Sequence, residues 1–244
     1  MKLLVIGGSG IVGSLVVPFL AEQHQLRLFD LRPPQQEGLG EYIQGDVTDH
    51  AALTSVLEGV DALLYMAMGN LKWEEPIGVS SAFDVNVKGV HMALWAAHTA
   101  GITQAVYTSS MSVYAEPLMQ RYFADEDLTP DAAHLYGLTK RMGEEVCHNA
   151  SRLWGMNINV LRLCFPTAEE KWLRETVIGK PTIATTAQDV ARAMLAALEF
   201  RAGYQAFTIS GDYENKVMNM SKAKRLLGWE PLARPTRQAD SNEQ

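Results

Sequence analysis

Short apolar runs alternate along this chain with longer stretches in which apolar residues recur every three or four positions. Residues 3–6, 26–29, 63–66, 105–108 and 158–163 are apolar at almost every position, the pattern of parallel strands buried on both faces. Between them, residues 11–22, 50–57, 81–100 and 134–153 carry helical spacing. Strand alternating with helix in this way predicts an α/β fold with a doubly wound parallel sheet. Further on, a helix starts near residue 187, an apolar run covers 206–210, and a short basic helix spans 221–227. Only 23 residues separate Leu163 from Ala187, too few for a second core. The predicted organisation is one domain over 1–232 with a minimal carboxyl-terminal lid, about 164–186 and 211–232. The polar residues 233–244 read as a flexible tail.

Charge narrows the partners. Lys and Arg number 21 against 28 Asp and Glu, a net charge of −7 over 244 residues. Phosphate-backbone binding needs the opposite sign, which argues against nucleic acid. Hydrophobic residues are 47% and charged residues 20%, ample for a core and ordinary for a globular chain. The two cysteines, Cys147 and Cys164, are too few for a disulfide framework or a zinc site and read as buried thiols in a reducing compartment. Glycines interrupt the apolar start before a signal-length segment can form, and no apolar run is long enough to cross a bilayer. The expectation is a cytoplasmic protein without a membrane partner.

Gly7-Gly8-Ser9-Gly10-Ile11-Val12-Gly13 follows the first strand and opens the first helix. Glycines at 7, 10 and 13 turn the chain tightly, let backbone approach a pyrophosphate, and pack helix on strand. The helix start then offers unpaired N–H groups to phosphates. Asp30 ends the second strand, 20 residues beyond Gly10, where an acid binds the ribose hydroxyls and repels a 2′-phosphate. NAD is therefore expected over NADP, with Leu31 and Arg32 beside the ribose. Asp46 and Val47 follow the third strand, where a carboxylate reaches an adenine amino group or, alternatively, caps a turn.

Tyr136-Gly137-Leu138-Thr139-Lys140 places a phenol and an ammonium one turn apart on a helix. A nearby cation favours phenolate, so Lys140 is expected to lower the Tyr136 pKa and make it an acid/base. Ser110 lies just past the fifth strand, where ligands collect in parallel sheets. Its hydroxyl can steady a reacting oxygen, and on spacing alone Ser109 and Ser112 compete for that role.

Together these residues resemble the extended short-chain dehydrogenases/reductases, in the NAD-dependent epimerase/dehydratase group. The resemblance also rests on Asn86-Val87-Lys88-Gly89, Ser109-Ser110-Met111-Ser112-Val113-Tyr114 and Leu227-Gly228-Trp229. It implies a Rossmann fold, with Ser110 as catalytic serine, Tyr136 as acid/base and Lys140 as ribose-binding helper. Asn86 resembles the family's helix asparagine that ties elements together. Leu64-Tyr65-Met66-Ala67 resembles the strand end that flanks the cofactor, which puts Met66, Ala67 and Met68 beside it. Dehydratases of the group place Asp-Glu where Met111-Ser112 stands, which argues against water loss, and nucleotide-sugar epimerases carry a larger carboxyl-terminal part.

The short plan resembles uronate dehydrogenases, which oxidise a uronic acid with NAD. That likeness implies an arginine, here Arg174, on the substrate carboxylate, with Phe165 and Met111-Ser112 where those enzymes have polar residues. Asn70 would touch a substrate hydroxyl, and Trp73, Glu74 and Glu75 would wall the pocket. The expected activity is oxidation of a hydroxyl on a small sugar or uronic acid, with an NAD-retaining epimerase and a non-catalytic dinucleotide sensor as rivals. Family members also pair through helices equivalent to 81–100 and 134–153, which makes a homodimer the expected assembly. His91 and His98, seven apart, lack a third ligand and read as structural rather than metal-binding.

Overall fold

The computed structural model describes residues 1–115 and 125–238. Seven strands form one all-parallel sheet: β1 (Lys2–Ile6), β2 (Gln25–Asp30), β3 (Glu41–Gln44), β4 (Ala62–Tyr65), β5 (Gln104–Ser110), β6 (Asn157–Leu163) and β9 (Tyr204–Ile209). Their order is β3-β2-β1-β4-β5-β6-β9, so the chain reverses its direction of winding between β1 and β4. A reversal of this kind opens a crevice at the carboxyl ends of the strands, where ligands bind.

Alternation along each strand decides which layer a residue joins. Leu3, Val5 and Leu28 pack with Val16 and Leu20 of α1 (Ile11–Ala21) and with Met194 and Leu198 of α7 (Ala187–Glu199). Leu4, Ile6 and Phe29 pack on the other face with Leu53 of α2 (His50–Ser55), Leu94 of α4 (Val90–Thr99) and Cys147 of α5 (Leu135–Trp154). Burial on both faces is why the strands read as continuous apolar runs. The two cysteines are free and buried, and burial raises both thiols, Cys164 to about 12.

Three regions depart from the sequence expectation. The helix expected over 81–100 starts earlier, as α3 (Pro76–Phe83), and then widens into a π-helical turn, Asp84–Gly89, before α4. Pro76 suits a first helical turn, where no N–H is needed. The wide turn leaves the Val85 carbonyl to accept from the Tyr65 hydroxyl at 2.6 Å. It also puts Gly89 so close to Tyr65 that a Cβ there would lie 2.7 Å from the hydroxyl.

The expected lid over 164–186 contains β7 (Pro166–Thr167) paired with β8 (Thr185–Thr186), and between them α6 (Glu169–Glu175). Trp172 of α6 is buried and donates to the Ala184 carbonyl at 2.7 Å, which ties α6 to the segment leading into β8. The last helix, α8 (Ser221–Leu227), ends on left-handed Gly228. Trp229 follows, buried and donating to the Asp189 carbonyl at 2.9 Å.

The expected tail is shorter at its start. The Leu232 and Ala233 amides donate to the Asp189 carboxylate, and Ile178 donates to the Arg237 carbonyl at 2.9 Å. Residues 233–237 are therefore strapped down by backbone bonds that a polar composition does not reveal. Residues 239–244 lie outside the described residues. Among the described residues, no helix is long and apolar enough to cross a membrane.

Candidate active site

A cleft of about 1110 Å³ runs along the carboxyl ends of β1 to β6. Single ligands usually occupy about 300–1,000 Å³, so this one has room for a dinucleotide and a second small molecule. Of the residues expected to bind cofactor or substrate, all line it except Gly13 and Arg174, and the expected wall residues Trp73, Glu74 and Glu75 are not among its lining residues.

At the β1–β3 end the cleft is made of backbone. Gly7 has φ +85°, and a Cβ there would sit 2.3 Å from the Ala67 amide nitrogen. Gly13 lies beneath the loop, where a Cβ would be 2.4 Å from the Gly7 carbonyl oxygen. Gly10 starts α1 with no side-chain cap, so the first helical N–H groups face the cleft past Ile11 and Val12. Asp30 is held beside this loop by two backbone donors, Ser9 at 3.0 Å and Arg32 at 3.2 Å. Its remaining lone pairs are placed for ribose hydroxyls. One Asp46 oxygen accepts from the Thr48 amide at 2.8 Å and hydroxyl at 2.9 Å, so this acid both shapes a turn and lines the cleft. Leu31, Arg32, Val47, Met66, Ala67 and Met68 complete the expected set. A glycine cradle with uncapped helical N–H groups and an anchored acid fits a dinucleotide.

At the β5–β6 end the cleft is made of side chains. Ser110 closes β5 and caps the 3-10 turn Met111–Val113, accepting from the Ser112 amide at 3.1 Å. The three serines separate here, because successive strand residues face opposite ways. Ser109 is buried, and its hydroxyl donates to a Glu144 carboxylate oxygen at 2.6 Å. Ser110 and the Tyr136 phenol line the same end of the cleft. Trp73 stacks on that phenol, with ring centroids 5.2 Å apart and planes 10° from parallel.

The Tyr136–Lys140 pair departs from expectation. Burial raises the Tyr136 phenol above its ordinary value, opposed by the nearby Ser110 hydroxyl, and Lys140 is not among the groups that lower it. The Lys140 ammonium instead turns toward the sheet and donates to the Thr108 carbonyl at 2.7 Å, over the face of Tyr107. Burial pushes its pKa down to about 8. Spacing brings the two side chains to one cleft but does not dictate which acceptor the ammonium takes.

Beneath them lies a buried network that the sequence reading left out. Arg162 of β6 pairs with Glu144 of α5 at 2.7 Å, both 4% exposed, and donates to Tyr114. Tyr114 in turn donates to the Asp125 carbonyl at 2.8 Å. Glu144 lies one helical turn beyond Lys140 and touches Ser109, the neighbour of Ser110, so the pair fixes α5 against the end of β5. An arginine between buried leucines in a strand was the available signal, since a buried charge demands a partner. Asn86 does what the family resemblance implied: it accepts from Gly69 at 3.0 Å and donates to Thr139 at 2.9 Å, joining the β4–α3 loop to α5.

Arg174 stands apart. It lies on the last turn of α6 with its side chain 69% exposed, 3.9 Å from Glu175. His91 and His98 both pack on the Trp154 ring, as structural residues do. Asn70 lines the mouth, with its Oδ1 accepting from the Lys72 amide at 2.9 Å. Leu71, Ile77 and Ile183 also line the cleft and were not anticipated.

Comparison with known proteins agrees with this geometry. A UDP-glucose 4-epimerase of Lactobacillus helveticus is 30% identical over 169 residues, covering 66% of this chain and 51% of that protein. This chain spans roughly a third to a half of the curated relatives it matches, from 32% to 51% of their length. A short-chain dehydrogenase/reductase superfamily protein from Agrobacterium tumefaciens, solved with bound NAD, superposes with a TM-score of 0.80 at 24% identity, over 96% of this chain and 93% of that one. A mutated uronate dehydrogenase superposes with a TM-score of 0.78 at 21% identity, over 95% of this chain and 82% of that one. The sequence pattern of one family covers residues 3–175, which hold the glycine loop, Asp30, Ser110, Tyr136 and Lys140. With that match added to the cleft, the chain belongs to the NAD dependent epimerase/dehydratase family.

Proposed function

We propose that this protein is an NAD-dependent oxidoreductase that interconverts a carbinol and a carbonyl on a small molecule. The observation that carries the reading is the convergence of Ser110, Tyr136 and Lys140 on one end of a cleft whose other end is a glycine cradle. The Gly7–Gly13 loop would hold the pyrophosphate, Asp30 the adenosine ribose, and Lys140 the second ribose. NAD, when bound, supplies the hydride acceptor.

Tyr136 handles the proton. Its raised pKa keeps the phenol protonated at neutral pH, the form that donates to a carbonyl oxygen during reduction. For oxidation the phenol must first lose its proton, and a cation at hand makes that easier. Lys140, one turn away, serves this purpose once its ammonium leaves the Thr108 carbonyl. Ser110 shares the substrate oxygen and steadies charge developing there.

A uronic acid substrate needs a cation for its carboxylate. Arg174 lies outside the cleft, so the described site offers no support for that choice. A second reading, an epimerase that retains NAD, uses the same three side chains and is favoured by the epimerase relative covering two-thirds of the chain. Reduced nicotinamide building up in solution identifies the dehydrogenase; bound cofactor that is reused identifies the epimerase.

The test is Tyr136→Phe. On a panel of aldoses, uronates and simple secondary alcohols, turnover followed by nicotinamide absorbance should fall by about 100-fold or more. NAD affinity by calorimetry should stay within about twofold of wild type, because an isosteric ring keeps the packing. Full turnover in the variant would overturn the assignment.

A further inference from the structure

The β5–β6 half of the cleft is lined by groups that a polyol or sugar acid would find poor company. Met111 directly follows Ser110, Phe165 sits two residues past β6, and Leu71, Ile77 and Ile183 close the mouth. Leu71, Ile77 and Phe165 are 50%, 62% and 68% exposed, so large apolar groups stand open at the rim. Clustered exposure of this kind marks surface awaiting an apolar ligand. Among the described residues lining this half, Lys140 is the one cation, and it is already bonded to the Thr108 carbonyl.

Phe165 gives the sharpest indication. Its φ is +39°, in the left-handed region that a residue with a Cβ avoids. Tertiary bonds hold it there. The Phe165 carbonyl accepts from the Thr185 amide at 3.2 Å and from the Thr167 hydroxyl at 2.7 Å, while the fully buried Thr185 hydroxyl donates to Cys164 at 2.8 Å. The outcome is a phenyl ring held out into the cleft instead of folded into the core. Strained backbone maintained by its surroundings clusters at ligand sites.

We propose that the substrate end of this cleft binds a carbinol or ketone borne on an apolar body, an alicyclic or aromatic ring, with Phe165 and Met111 as its specificity-determining wall. The inference rests on the oxidoreductase reading for its single polar group: the one substrate oxygen meets Ser110 and Tyr136. The rest of the ligand meets a wall in which Met111, Phe165, Leu71, Ile77 and Ile183 stand beside Asn70 and Ser112. A ring hydroxylated at every position would bury several hydroxyls against Met111 and Phe165 without partners, and unpaired buried hydroxyls strongly oppose binding.

The experiment measures binding apart from turnover. The full chain at saturating NAD is titrated by calorimetry with α-tetralol, a bicyclic secondary alcohol, and in parallel with myo-inositol and galacturonate. Tetralol should bind at least about ten-fold more tightly than either polyol. Phe165→Asn removes the phenyl yet tolerates left-handed backbone, so it should melt no lower than wild type while losing most of that preference. Equal or tighter binding of inositol or galacturonate would overturn the proposal, as would an undiminished preference in Phe165→Asn. Nicotinamide absorbance is recorded separately. Tetralol binding without turnover would sink the oxidoreductase reading and leave the apolar site standing; turnover of sugars without tetralol binding would do the reverse.

Discussion

The two halves of the cleft are built from different materials. At the β1–β3 end the ligand surface is backbone: glycines at 7 and 10, uncapped helical N–H groups, and one acid positioned by the Ser9 and Arg32 amides. At the β5–β6 end it is side chains, and those are positioned by other side chains, Ser110 and Lys140 resting on the Glu144–Arg162 pair through Ser109 and α5. A backbone-built site depends on what is missing, since a single Cβ obstructs it. A side-chain-built site depends on partners far away in sequence.

The largest effect should come from removing one of those partners. Glu144→Ala leaves the Arg162 guanidinium buried and unpaired, and breaking such a pair costs about 3–5 kcal/mol. For a chain of this size that is a fall of roughly 6–20 °C in melting temperature. Glu144→Gln keeps the shape and part of the hydrogen bonding, and should recover part of the loss. If both variants melt with wild type, the pair does not hold the chemical half together. The exposed Lys224–Glu230 bridge, at 2.6 Å, is the control: Glu230→Gln should leave the melting temperature unchanged.

Gly7→Ala tests the other half. The new Cβ would meet the Ala67 amide at 2.3 Å from a backbone with φ +85°, and neither strand end can retreat without moving β1 or β4. A loss of about 2–3 kcal/mol is expected, together with at least about a ten-fold loss of NAD affinity by titration. Stable folding with unchanged NAD binding would show that the loop is not the phosphate cradle.

This contrast also explains what the sequence disclosed. Gly7, Gly10, Gly13 and Asp30 were legible because backbone geometry demands those residue types at those spacings. Apart from the edge strand β3, the strands were legible because both faces are buried, and Leu3 and Leu4 go to opposite layers without any partner being known. Spacing could not choose among Ser109, Ser110 and Ser112; Ser109 bonds Glu144, 35 positions beyond it, while Ser110 and Ser112 both line the cleft. Spacing also misjudged Lys140, whose acceptor, the Thr108 carbonyl, is 32 positions away. The π-helical turn at Asp84–Gly89 was hidden because its partner, the Tyr65 hydroxyl, belongs to β4.

A smaller effect reports on Lys140 itself. Its pKa is pushed down to about 8 by burial, against an ordinary value near 10.5. Between those values the unfolded chain holds more protons than the folded one, so this group makes stability rise with pH. Below about 8 both states are protonated and the full burial penalty is present. Lys140→Met removes the titration, so its stability relative to wild type should be most favourable near neutral pH and decline toward pH 10. Urea midpoints for the two proteins across that range check the sign. The raised tyrosines and thiols are common to both proteins, so the difference isolates Lys140 apart from its coupling to Cys147. A constant difference would mean that Lys140 keeps its ordinary pKa and is wetter than its place under Tyr107 indicates.

The smallest effect is the one that bears most on substrate. Arg174 is 69% exposed on α6, and its side chain faces Glu175 across 3.9 Å. Surface charges of this kind rarely change stability by more than about 0.5 kcal/mol. The Arg237 side chain donates to the Arg174 carbonyl at 3.2 Å, a bond that substitution leaves in place. Arg174→Ala should therefore alter neither the melting temperature nor the binding of galacturonate by calorimetry. A ten-fold loss of galacturonate binding in this variant would require α6 to swing its last turn into the cleft. That movement would have to pull Trp172 away from the Ala184 carbonyl and strip the strap at Ile178–Arg237. Trp172 itself is buried, at 1% exposure, which is why the helix is expected to hold Arg174 in solvent and leave the substrate to Phe165, Met111, Ser110 and Tyr136.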